Sequence, residues 1–308
     1  MQRRTKVNPA YWASAIFILA NAFNYFVLHR EKIFFEEQNI YVPPQPPISI
    51  WPQPVPPPPP GEVPLPAVGA AAPVLIYFAI VVVVLGVVLF LVPVSFLRVL
   101  LRISFGLLFS WASFIIVVFW LPLYAAISLS VVVGLVWYFL PRVWLHNIVL
   151  LIAMVSLAAV FGPLVSPWTM MIILLAIALY DFLAVRFGYM LWMAKKLSQS
   201  YTLPAFIIPH TLKEWNNSLK EAVLTDTSGE DRKYSILGGG DIGFPLLLVS
   251  AVFFADGFSS SILVALFALF GLISAYVMHM LLKGRPIPAL PPIAGFCLLA
   301  LLILTFII

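Results

Sequence analysis

The chain has 308 residues, of which 63% are hydrophobic and 9% charged, with a formal net charge of +5 and a mean hydropathy of +1.06. Soluble domains carry roughly 25% charged residues, so this composition excludes a soluble enzyme and describes an integral membrane protein. The single cysteine, Cys297, excludes an intrachain disulfide and a thiolate metal centre. His29, His146, His210 and His279 are scattered without the paired spacing of a zinc site, so no metal and no other cofactor is expected.

A helix crosses the hydrocarbon core in about 20 residues. Apolar runs of about that length predict nine spans: Tyr11 to Leu28, Pro73 to Val92, Ile103 to Trp120, Tyr124 to Leu140, Leu145 to Leu164, Trp168 to Met190, Gly240 to Phe254, Ser259 to Leu282 and Pro288 to Ile308. The fourth and seventh are short for straight spanning helices. The expected fold class is therefore an all-α polytopic membrane protein with nine transmembrane helices. It divides into an N-terminal bundle of five spans over residues 1–164 and a bundle of spans six to nine over residues 165–308.

The first span has two readings. A basic start followed by Ala20-Asn21-Ala22 fits a cleaved signal peptide, whereas apolar character continuing to Leu28 favours an uncleaved anchor. From 43 to 66 the chain is dominated by proline, including Pro56 to Pro60 in a row, and reads as an extended polyproline connector. The loop over 195–237 carries the polar cluster "TDTSGEDRK" (Thr225 to Lys233). Within it "LPAFIIPHTL" (Leu203 to Leu212) is apolar but too short to span, and is expected at the interface or folded back on the helices.

Lysine and arginine collect in cytoplasmic loops. In a nine-span weave every Lys and Arg falls on one side except Arg30 and Lys32 opposite and Arg186 within a span, which puts the N-terminus in the cytoplasm and the C-terminus outside. The Pro-rich loop is then extracytoplasmic and the 195–237 loop cytoplasmic. The basic excess is this loop bias. No basic run is interleaved with aromatics, so no nucleic acid is expected as a partner.

Two acids break the apolar pattern. Asp181 stands in "ALYDFLAVRFGYM" (Ala178 to Met190), and Asp241 in "LGGGDIGFPLLL" (Leu237 to Leu248). A charged side chain at the bilayer centre costs about 2.5 to 3.5 kcal/mol on insertion scales, so intramembrane carboxyls usually face a cavity and carry function. Asp181 lies about 15 Å from the cytoplasmic end of its helix at 1.5 Å per residue, and Asp241 just inside the cytoplasmic entrance of the next. If the two meet, they cannot both ionise easily and titrate as a pair. One then draws a proton from water while the other polarises a peptide carbonyl. Gly238, Gly239 and Gly240 remove side chains where a substrate backbone would approach and allow the chain to leave helical geometry. Arg186, five residues after Asp181, has two readings: it snorkels to the interface, or it lowers the pKa of the pair.

Tyr180-Asp181, Gly238-x-Gly240-Asp241 and Pro288-Ala289-Leu290, in that order, resemble the YD, GxGD and PAL motifs of the presenilin and signal peptide peptidase family of intramembrane aspartyl proteases. The motifs cover spans six to nine, and the rest of the likeness is span count. The inferred orientation is similar to presenilin, and the compact chain to archaeal members. The resemblance implies that Asp181 and Asp241 are the catalytic pair. It implies that Tyr180, Gly238 to Gly240 and Pro288, Ala289 and Leu290 shape the substrate site, and that no cofactor or metal takes part. The substrates implied are transmembrane helices of other proteins in the bilayer, which must unwind locally before cleavage. An extended segment could pair strand-like with backbone near Pro288 to Leu290 or Gly238 to Gly240. Presenilins work with accessory subunits and signal peptide peptidases alone; presenilins also carry a longer, autoproteolysed loop where this chain has 195–237. The competing readings of the two acids are an ion-leak channel or proton-coupled transporter, and a prepilin-type leader peptidase, which shares GxGD but lacks YD and PAL.

Overall fold

The computed structural model of the chain describes residues 9–42, 63–64, 71–198, 202–224, 233–282 and 287–306. Most of the Pro-rich stretch, the polar cluster up to residue 232, and the basic residues Arg3, Arg4, Lys6, Lys283 and Arg285 lie outside them. The protein is mainly helical. In chain order the elements are α1 (Pro9–Glu37), β1 (Ile40–Tyr41), β2 (Val63–Pro64), α2 (Ala71–Leu91), α3 (Val94–Val117), α4 (Leu123–Phe139), α5 (Val143–Phe161), α6 (Pro167–Arg186), α7 (Tyr189–Ser198), β3 (Ala205–Pro209), α8 (Leu219–Leu224), β4 (Tyr234–Gly238), α9 (Gly239–Leu281) and α10 (Leu290–Phe306). Two-stranded pairings, β1 with β2 in parallel and β3 with β4 antiparallel, supplement the helices.

Six helices, α1, α2, α3, α5, α6 and α9, are long and apolar enough to cross a membrane, and α4 and α10 are shorter apolar helices of 17 residues. The protein is a multi-pass membrane protein. In water the valine run of α2, Val81 to Val84, would favour a strand. In lipid a lone segment satisfies its backbone only as a helix, and α2 leaves nearly all of its apolar surface exposed. Prolines punctuate the helices. Pro93 precedes α3 and Pro122 precedes α4, each with φ −59°, and Pro167 opens α6 behind a Ser166 Oγ that accepts the Thr169 N–H at 3.2 Å.

The structure departs from the expected spans in several places: α3 starts at Val94 rather than Ile103, and the run from Trp168 to Met190 ends as α6 at Arg186, with α7 beginning after the positive-φ Gly188. The first helix does not stop at Leu28 but runs unbroken through Ala20-Asn21-Ala22 to Glu37, which buries Glu31 to 2% exposure. The seventh and eighth apolar runs form one element, α9, of 43 residues, interrupted at Gly257 (φ 85°, ψ −172°).

The chain folds as two compact units. The first comprises residues 1–16, 80–156 and 187–240. In it α3 and α4 pack through small residues: a Cβ on Gly134 would stand 2.7 Å from the Gly106 carbonyl oxygen. The turn before α5 holds the segment ahead of α8, with Leu219 N–H donating to Pro141 O at 2.9 Å and Val143 N–H to Asn217 O at 3.1 Å. The second unit comprises residues 17–79, 157–186 and 241–308. There Asn24 Nδ2 of α1 donates to Ser250 Oγ of α9 at 2.9 Å, Tyr25 packs edge-on against Phe258, and α6 packs along α10.

Gly257 occupies a positive-φ, extended-ψ conformation that is essentially glycine's alone. Gly257→Ala is expected to destabilise the protein by about 1 to 3 kcal/mol, read as a lower thermal midpoint in detergent. Gly295→Ala, on an open face of α10, is expected to leave the midpoint unchanged or raise it.

Candidate active site

α6 carries Asp181 on its buried face, one turn beyond Ile177 and Ala178, and the residue is 7% exposed. Its Oδ2 accepts a hydrogen bond from the Leu290 N–H at 3.3 Å, with the Ala289 N–H beside it. This donor is available for a local reason. Leu290 is the first residue of α10, so its N–H has no partner within the helix. Pro291 and Pro292 have no N–H at all, so the donors at the head of the helix that reach Asp181 are those of Ala289 and Leu290. The positive end of the helix dipole faces the carboxylate.

The seat of α10 depends on α9. A Cβ on Gly271 would fall 2.5 Å from Ile293 Cα and 3.1 Å from the Pro292 carbonyl oxygen, so only glycine lets the second half of α9 meet the first turn of α10 this closely. Tyr180, half-buried beside Asp181, sets its ring edge-on to Phe78 with centroids 5.6 Å apart.

Asp241 occupies the first turn of α9 and is half-buried. It interacts electrostatically with Tyr276, which lies beyond the Gly257 break. Pro245, four residues on, has no N–H to donate to the Asp241 carbonyl, which loosens the backbone at the carboxyl. None of the preceding glycines has a positive φ, since the positive-φ glycines among the described residues are Gly188 and Gly257, and Gly239 acts through space. Gly239 donates its N–H to Pro204 O at 3.0 Å, and a Cβ there would stand 2.8 Å from the same oxygen. Gly238 ends β4 and Gly239 and Gly240 start α9, so Asp241 follows the strand without a loop.

Arg186 is exposed in the last turn of α6, where a cation suits the helix C-terminus. Among the described residues no group of three or more His, Cys, Asp or Glu side chains is placed to hold a metal ion. The sequence reading passed over two features near these elements. One is the pairing of β3 with β4, of which the apolar "LPAFIIPHTL" is the half that the sequence shows. The other is the buried polar pair His146-Asn147 in α5, whose signal is two adjacent polar residues inside an apolar run.

A family model described as signal-peptide peptidase, presenilin aspartyl protease matches residues 67–308. The chain belongs to this family. Its fold is also that of a presenilin family intramembrane aspartate protease solved in two crystal forms. The C222 form matches with a TM-score of 0.60 and 16% identity, covering 96% of this chain and 98% of that one. The P2 form matches with a TM-score of 0.52 and 17% identity, covering 94% and 95%. Among curated proteins none matches. Membership in the presenilin and signal-peptide peptidase family does not favour the channel, transporter or leader-peptidase readings.

Because Gly271 sets the approach of α10, Gly271→Val is expected to displace the Leu290 N–H from Asp181 and to lower cleavage of a single-span peptide by roughly 10²-fold. Gly295→Ala in the same helix is expected to retain activity.

Proposed function

We propose that Asp181 and Asp241 are the catalytic pair of this intramembrane aspartyl protease, and that it hydrolyses peptide bonds within transmembrane segments of other proteins. The observation that carries the reading is the buried Asp181 carboxyl held by the Leu290 N–H, which joins two of the three motifs in one hydrogen bond. A fixed acceptor geometry at one carboxyl leaves its other oxygen for a water molecule or a substrate carbonyl.

On this reading one carboxyl of the pair is ionised and the other protonated. The carboxylate takes a proton from water as the water oxygen adds to the peptide carbonyl carbon. The carboxylic acid hydrogen-bonds the carbonyl oxygen as it gains charge. The tetrahedral intermediate then collapses, the C–N bond breaks, and the leaving nitrogen receives a proton. No metal or cofactor enters this sequence. Tyr180, Pro288, Ala289 and Leu290, together with Gly238 to Gly240 just ahead of Asp241 in the chain, are assigned to shaping the substrate site. Residues 165–308, with α6, α9 and α10, form the catalytic bundle.

Substrate must lose its helix before a peptide bond is accessible. The register of β3 and β4 supports reading the outer edge of β4 as the place for the unwound chain. Phe206 and Ile208 of β3 face Leu237 and Ser235, so Tyr234, Ile236 and Gly238 present their N–H and C=O groups on the other side of β4. A segment added along that edge lies three residues from Asp241 in the chain. Nine spans follow if α9 is counted as two helices around Gly257, with the N-terminus cytoplasmic and the C-terminus outside.

In liposomes, the purified protein is expected to cut a single-span peptide, with products identified by mass. Asp181→Asn and Asp241→Asn are each expected to reduce the rate by ~10²–10⁴-fold or more while remaining folded. The rate should rise and then fall with pH, since one member of the pair must be charged and the other neutral. Cleavage surviving either substitution would refute the assignment.

A further inference from the structure

β3 has two edges, and only one of them is taken by β4. The register pairs Phe206 with Leu237 and Ile208 with Ser235, and the ladder is extended by Gly239 N–H to Pro204 O and His210 N–H to Lys233 O. The even-numbered residues of β3 therefore bond to β4, and Ala205, Ile207 and Pro209 turn their backbone groups the other way. That second edge meets α5. Asn147 Nδ2 donates to Ile207 O at 2.7 Å and Asn147 Oδ1 accepts the Ile207 N–H at 2.9 Å, so one side-chain amide copies the pairing of a neighbouring strand. His146 Nε2 lies 3.1 Å from Ala205 O and must carry the proton, because a carbonyl only accepts. Pro209 has no N–H to offer.

Both side chains are out of solvent, His146 at 0% and Asn147 at 5% exposure. The imidazole packs against the rings of Phe109 and Trp137 at 6.0 and 6.1 Å. The other end of the hairpin is pinned as well. Asn217 Nδ2 donates to the buried Tyr234 hydroxyl at 2.7 Å, and burial pushes that phenol above its usual pKa, so it stays neutral.

We infer that His146 and Asn147 are positioning residues of the protease. They close the second edge of β3 so that an extended substrate can add only to β4, and they fix the register of that pairing in the strand that runs directly into the α9 turn carrying Asp241. The inference rests on the reading of β4 as the substrate edge. A clamp of this kind determines substrate affinity and the choice of bond rather than the chemical step.

Three full-length variants separate this role from a merely structural one. Asn147→Leu keeps the size and removes both bonds, Asn147→Asp keeps the acceptor and loses the donor, and His146→Gln retains a side-chain N–H. The substrate is a single-span peptide with a Gly-Gly pair in its helix, in liposomes. Rates are expressed per active site, counted with a tight-binding peptide that carries a hydroxyl in place of the scissile carbonyl. Asn147→Leu is expected to raise KM on the order of 10-fold, as two lost hydrogen bonds imply, and to spread the product masses by one or more residues while kcat per site holds. Asn147→Asp should do the same to a smaller extent, and His146→Gln should resemble the wild type. Unchanged KM and product masses in Asn147→Leu, with only fewer active sites, would overturn the inference.

A second readout is independent of catalysis. With Asp181→Asn to prevent turnover, substrate should slow hydrogen exchange of the 234–238 amides, and should fail to do so when Asn147→Leu is added. Equal protection in both proteins would overturn the clamp. If the wild type cut nothing while the clamp-dependent protection persisted, the catalytic pair would fall and the clamp would stand.

Discussion

A bilayer offers no hydrogen-bond partner to the backbone or to a polar side chain, so every such group must be satisfied from within the protein. That constraint accounts for most of what distinguishes this fold from a plain bundle of apolar helices. Asp181 is accommodated because the head of α10 supplies an N–H that the helix itself cannot use. β3 is accommodated, as irregular backbone among apolar helices, because β4 satisfies one edge and the side chains of α5 the other. Asn24 in α1 finds Ser250 in α9. In each case a polar group that would be costly alone fixes the relative placement of two elements, so the same bond confers specificity as well as satisfaction.

The constraint also frames the chemistry. Hydrolysis in an apolar setting needs water, a base and an acid held in place without the reorganisation that bulk water would supply. Two carboxyls meet the requirement with little machinery, provided their surroundings keep one proton between them. Prolines and glycines prepare the ground in different ways. Pro291, Pro292 and Pro245 subtract N–H donors near the two acids, whereas Gly271 and Gly239 subtract side chains where backbones must nearly touch.

Much of this was legible in the sequence, and the remainder was hidden for identifiable reasons. Spans were readable where the apolar run is uninterrupted, as in α2 and α5, because length and composition alone decide a lipid-exposed helix; α3 starts at Val94 rather than Ile103 because Arg98 and Arg102 lie inside it. The three motifs were readable because each breaks the local pattern: an acid in an apolar run, three glycines before an acid, prolines at a helix start. The extension of α1 to Glu37 was not, because His29 to Lys32 are polar and the burial of Glu31 is a tertiary fact. The strand pairing of "AFIIP" with "YSILG" was not, because periodicity cannot tell a short buried strand from an interfacial segment. The reason for Gly239 was also out of reach. A flexible turn and a close approach look alike in sequence, and only the Pro204 carbonyl beside it distinguishes them.

The central claim is that positions 181 and 241 face one another across a shared water. The most direct measurement is a chemical one on the full chain in liposomes. With Cys297, the sole cysteine, replaced by alanine, Asp181→Cys and Asp241→Cys are combined and treated with a short bis-methanethiosulfonate reagent. Intact mass reads whether one reagent molecule bridges both thiols. Near-complete bridging is the predicted result. Two separate single-ended adducts at full modification would show that the positions do not meet, and would contradict the account.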